Sequence, residues 1–248
     1  MLTLVSVMWI LPIIILILIV RYFINEILIF PFRSSQSGES INYKLIHNYP
    51  GRPIILFCNG NVGTIEAGIF NTKNLCDKYQ LNLCCFDYSR ATTCGQILKD
   101  GEFIYNELIS KGFKEEDIII CGVSIGTGVA AHLASIHKNV KGCILISPYI
   151  NIISIAVGIR FGILFNYLSY LFINNPLATY QKINNIISPV ILIHGLYDPL
   201  IPPPHSKYLA KIRNKYLLDT EEIYVDNGHA VELTSEVCEK IGNFFLLT

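Results

Sequence analysis

The chain has 248 residues, 19 basic and 19 acidic side chains, and a formal net charge of zero. That length suits one sizeable domain with its own core, and the short Lys/Arg clusters lack the broad basic face that nucleic-acid binding needs. Eight cysteines contain no CxxC pair and no Cys/His cluster at metal spacing, so no metal site is expected.

The chain opens on an uncharged stretch, "LTLVSVMWILPIIILILIV" at 2–20, long enough to cross a hydrocarbon core as a helix. A retained anchor, a cleaved secretory signal and a hydrophobic surface helix compete for it. No basic residues precede it and no small-x-small site follows, which favours the anchor. Residues 1–24 are therefore expected to form a transmembrane anchor and 25–40, ending in "RSSQSGES", a polar linker. Arg21, Arg33 and Lys44 follow the apolar run, so the positive-inside bias predicts a single-pass membrane protein with its body facing the cytosol.

Beyond the linker, "INYKLIHNYPGRP" reads as an edge hairpin turning at Pro50 and Gly51. Six short apolar runs follow, at 53–60, 81–88, 117–124, 141–148, 189–195 and 221–228, each ending in turn or polar residues. Cys58, Cys84, Cys85, Cys121 and Cys143 fall within these runs, where cysteine behaves as a small hydrophobe. Segments of helical spacing lie between most runs. In 95–112, Ile97, Gly101, Ile104, Leu108 and Ile109 form an apolar stripe, with Gly112 as a stop. This grammar predicts an α/β fold, a mostly parallel sheet with helices on both faces. The stretch 149–175 departs from it by being apolar nearly throughout. A second membrane span, a core helix, a partner surface and a cap over an acyl-binding cleft compete there; Arg160 opposes the span and the position favours the cap.

"CGVSIG" contains Gly-x-Ser-x-Gly between an apolar strand and the helix-like "TGVAAHLASIH". A serine in that context sits on a sharp turn with its hydroxyl above the sheet, and glycines two residues to either side leave room for the turn. Ser124 is thus the candidate nucleophile. It needs a histidine to remove its proton and an acid to orient that histidine. Of six histidines, His229 stands in a polar turn just after the last run; His132, His137 and His194 read as structural, and His47 and His205 as surface residues. Asp198 follows the fifth run at its carboxyl end, ahead of Asp226 and Asp219 as the candidate acid. The order Ser124, Asp198, His229 is that of the Gly-x-Ser-x-Gly hydrolases. The backbone N–H groups of Ile125 and of Asn61, in "CNGNVG", are the candidate oxyanion donors, while the Asn59 side chain reads as a turn stabiliser.

Together, "ILFCNGNVGTI", "FDYSRATTCG", "VSIGTG", "SPVILIHGLYDPLIPPPHS" and "NGH" resemble the serine hydrolases of the α/β-hydrolase superfamily, in the membrane-associated branch of Bem46-like, ABHD17-like and ABHD13-like proteins. The resemblance covers roughly residue 40 to the end, and the hydrolase domain is expected over 41–248. Asn59 stands where that branch usually has histidine, and 89–95 lacks some of its glycines. The resemblance implies an α/β-hydrolase fold with the insertion at 149–175 as cap, and an esterase or thioesterase without metal or cofactor. Its implied substrate is an acyl lipid or an S-acylated membrane protein, as for a depalmitoylase. A lipase or carboxylesterase acting on membrane lipids, a peptidase and an inactive scaffold of the same fold are the rival readings.

Overall fold

A computed structural model describes residues 41–61, 63–88, 94–157 and 177–247, together with Pro12 and Ile15. The apolar runs become the strands of one sheet: β1 (Tyr43–Ile46), β2 (Ile54–Cys58), β3 (Asn82–Phe86), β4 (Ile118–Val123), β5 (Gly142–Ile146), β6 (Val190–Gly195) and β7 (Thr220–Val225). Their order is β1-β3-β2-β4-β5-β6-β7. Every pairing is parallel except that of β1, which runs antiparallel to β3 at the edge. The expected hairpin at Pro50 and Gly51 is thereby corrected. Leu45 pairs with Cys84 of β3, and the chain passes from the edge over to β2 in the middle of the sheet.

The helices are α1 (Ile65–Tyr79), α2 (Cys94–Ser110), α3 (Gly126–Ile136), α4 (Ile152–Val157), α5 (Pro204–Lys215) and α6 (Ser235–Phe244). Strand alternation sends Ile54, Leu56 and Cys58 to the face covered by α2, α3 and α5. Ile55 and Phe57 point to the opposite face, which α1 and α6 cover. Both faces are dry, which is why the central strands carry almost no polar residues. Gly101 lets α2 approach α3 closely, since a Cβ there would lie 2.7 Å from Val129 Cγ1. Just past the end of α2, Gly112 has a φ of +91, left-handed backbone that suits glycine. Ile109, expected on the buried stripe, is exposed. All eight cysteines are buried and free.

Among the described residues no helix is long and apolar enough to cross a membrane. This corrects the expectation of a transmembrane helix and of single-pass membrane localisation. The longest described helix, α2, has 17 residues and spans about 26 Å, short of a hydrocarbon core of about 30 Å, and it includes Lys99, Asp100, Glu102 and Glu107. The apolar run at 2–20 lies outside the described residues, Pro12 and Ile15 excepted. The insertion expected at 149–175 also lies largely outside them; within the described part, Tyr149 and Ile150 are buried and α4 follows.

Candidate active site

Ser124 occupies the turn from β4 to α3 with φ of +53, a left-handed conformation that costs a non-glycine residue energy. Its surroundings hold it there. Its N–H donates to Ile146 O at 2.9 Å, continuing the β4–β5 pairing by one residue, and its own carbonyl accepts from the Thr127 N–H at 2.9 Å and the Thr127 hydroxyl at 2.6 Å. The flanking glycines are sterically required. A Cβ on Gly122 would meet Gly126 O and stand 2.8 Å from Ala130 Cβ; one on Gly126 would meet Cys58 O and stand 2.5 Å from Asn59 O.

His229, in the loop after β7, brings Nε2 to 3.0 Å from Ser124 Oγ. Its Nδ1 lies 2.7 Å from Asp198 Oδ2. A carboxylate only accepts, so Nδ1 carries the hydrogen and the bare Nε2 faces the serine hydroxyl. Asp198 is buried at the carboxyl end of β6, and its Oδ1 accepts the N–H groups of Leu200 (2.9 Å) and Ile201 (2.8 Å). The carboxylate therefore spends one oxygen on its own turn and the other on the histidine. The main chain of His229 is also tied: the Ser147 hydroxyl donates to its carbonyl at 3.0 Å. Ser147 itself has φ of +49 and donates its N–H to Ile193 O.

Facing this trio is the loop after β2. A Cβ on Gly60 would stand 3.8 Å from Ser124 Cβ, so the backbone leading into Asn61 passes beside Ser124. The loop is closed by the Gly63 N–H bonding to Gly60 O at 3.1 Å. It is anchored to β3 by the Asn59 side chain, whose Nδ2–H donates to Phe86 O at 2.7 Å. Ile125 caps the start of α3, where helix N–H groups lack intrahelical partners.

Three other histidines have partners of their own. His132 pairs with Glu102 at 2.6 Å and His137 stacks on Tyr105, both on the flank of the sheet. His205, read from sequence as a surface residue, is buried, and its Nδ1 accepts the Ile150 N–H at 3.1 Å. Burial brings its pKa down to about 4, with the neighbouring His194 acting in the same direction. Sequence reasoning passed over Ser147. The available signal was positional, since like Ser124 it is a polar residue closing an apolar strand.

A parallel sheet carrying a strained strand-to-helix serine, hydrogen-bonded to a histidine and through it to an acid from the end of a later strand, is decisive. The chain has the α/β-hydrolase fold. No protein-family model matches it. It is 26% identical over 231 residues to alpha/beta hydrolase domain-containing protein 17C of Xenopus tropicalis, covering 89% of this chain and 70% of that protein. It is 28% identical over 201 residues to alpha/beta hydrolase domain-containing protein 17B of Homo sapiens, covering 77% and 65% respectively. Among solved structures it is similar to an esterase of Pyrococcus furiosus, with a TM-score of 0.67 at 20% identity over 86% of this chain and 88% of that one. It is also similar to a monoacylglycerol lipase of Paleococcus ferrophilus, with a TM-score of 0.60 at 14% identity over 84% and 99%. On this fold Ser124, His229 and Asp198 have the triad arrangement of a serine hydrolase.

Proposed function

We propose that this α/β-hydrolase cleaves acyl esters through a covalent acyl-serine. The observation that carries this reading is the pair of hydrogen bonds at His229, whose Nε2 accepts the Ser124 hydroxyl at 3.0 Å and whose Nδ1–H donates to Asp198 Oδ2 at 2.7 Å. Ser124 Oγ attacks the ester carbonyl carbon while its proton passes to His229 Nε2. The developing oxyanion is held by the N–H groups of Ile125 and Asn61, and Asp198 stabilises the imidazolium. Collapse breaks the bond to the alcohol oxygen, which leaves with the proton from Nε2. Water then attacks the acyl-serine, gives a proton to His229 and releases the carboxylic acid; that proton returns to Ser124.

The esterase and lipase among the similar structures favour simple acyl esters as the substrate class. The narrower reading, removal of acyl groups from protein thiols, rests on the resemblance to the ABHD17-like branch and uses the same steps with a thiolate leaving group. Turnover of p-nitrophenyl esters from C2 to C12, set against acyl thioesters of the same chains, tests both. The expected result is ester hydrolysis by the parent and its loss by about 10⁴-fold or more in Ser124→Ala. Parent-rate turnover by that variant refutes the mechanism, and turnover of thioesters alone refutes the ester assignment.

A further inference from the structure

Behind the Asp198 carboxylate lies a second imidazole that the reaction steps leave unused. His194, near the end of β6, is fully buried. Its Nε2 lies 2.6 Å from Ile201 O and 3.4 Å from Asp198 Oδ2, and its Nδ1 lies 2.5 Å from Ser206 Oγ. The carbonyl oxygen of Ile201 can only accept, so Nε2 carries the hydrogen. Burial also lowers the pKa of the ring, so it is neutral and Nδ1 is bare. The Ser206 hydroxyl must then donate to Nδ1. Hydrogens thus run in one direction, from Ser206 to His194 and from His194 to Ile201 and toward Asp198.

The receiving end gives this chain of bonds its consequence. Ile201, whose carbonyl His194 holds, is also the residue whose N–H, with that of Leu200, binds Asp198 Oδ1. The turn at 198–201 is therefore fixed from both sides, and its carboxylate oxygens have little freedom to rotate away from His229. We propose that His194 is a positioning residue for the reaction: its Nε2–H, aligned by Ser206, holds the 198–201 turn and the Asp198 carboxylate in the orientation that meets His229 Nδ1. This rests on the serine-hydrolase reading above.

The two amide substitutions separate this role from simple core filling. In His194→Gln the side-chain amide reaches the place of Nε2, whereas in His194→Asn it reaches only that of Nδ1. Steady-state kinetics of both variants on p-nitrophenyl butyrate should show kcat of the Asn variant reduced about 10- to 100-fold with KM little changed, because misorientation acts on the transition state. The Gln variant should recover most of that loss. Equal kcat in the two folded variants, or an effect confined to KM, overturns the proposal. Should the Asn variant fail to fold, Ser206→Ala and Ser206→Thr make the same comparison from the other end of the chain, with loss in the first and recovery in the second expected and equality refuting. A parent enzyme with no Ser124-dependent turnover brings down the hydrolase reading itself, which is a separate result read before any His194 variant is scored.

Discussion

Replacing Gly126 by alanine tests how tightly the turn at Ser124 is set against the loop that faces it. The added Cβ would collide with Cys58 O and lie 2.5 Å from Asn59 O and 2.8 Å from Cys58 C. All three are backbone atoms, so no flexible side-chain end can swing aside. Either α3 or the 58–61 segment must shift. Overpacking of this kind costs about 1–3 kcal/mol, and in a chain of this size each kcal/mol lowers Tm by about 2–4 °C. A fall in Tm of about 2–12 °C follows. The kinetic effect should exceed the thermal one, because either shift displaces a proposed oxyanion donor, Ile125 at the start of α3 or Asn61 in the 58–61 segment, and losing one such donor costs about 100- to 1,000-fold in kcat. Thermal melts together with kcat and KM on a short p-nitrophenyl ester measure both. A Gly126→Ala enzyme with the parent Tm and the parent kcat would refute the steric argument.

Stability should depend on pH through His205. Its folded pKa of about 4 lies below the value near 6.5 of an unperturbed histidine, so between the two the unfolded chain binds more protons. Its contribution is complete above about pH 6.5 and is lost as pH falls toward 4. His205→Asn, which keeps an acceptor for the Ile150 N–H, should flatten the decline of Tm between pH 6.5 and 4.5, and an unchanged slope counts against the reasoning. Arg213 is buried and donates to the carbonyls of Ile183, Ile186, Ser188 and Asp219 and to Thr220 Oγ1. Arg213→Met should lower stability by about 3 kcal/mol or more by leaving these acceptors unpaired, measured by urea unfolding, while kcat at low temperature stays near the parent value because these contacts lie at the amino ends of β6 and β7.

The sheet was legible because strands buried on both faces must be apolar at nearly every position, as "IILFC" and "VILIHG" are. The turn at Ser124 was legible for a steric reason: the strained serine needs glycine at 122 and 126, and these leave a local imprint. Pairing partners left none. Whether the strand containing Leu45 lies beside β2 or β3 depends on contacts forty residues apart in sequence, so the proline–glycine turn suggested a hairpin that does not form. His205 misled for a similar reason. Its neighbours in "PPPHS" look like a surface loop, yet α5 begins at Pro204 and its first turn faces the Ile150 N–H. Ser147 and the Ser206–His194 pair were invisible locally because their partners, the His229 carbonyl and the 198–201 turn, come from other loops. The apolar start of the chain was read by hydropathy alone, and no helix among the described residues has the length and apolarity of a membrane span.

The central claim is that Ser124 is a nucleophile made reactive by His229, whose Nε2 stands 3.0 Å from its oxygen. Labelling with a fluorophosphonate probe, followed by intact-mass and peptide analysis, tests it most directly because the probe forms a stable adduct with an activated serine. The account predicts one adduct per chain on the peptide containing Ser124, absent from Ser124→Ala and much slower to form in His229→Ala. Labelling of Ser124→Ala at the parent rate, or a parent adduct on a different residue, would contradict it.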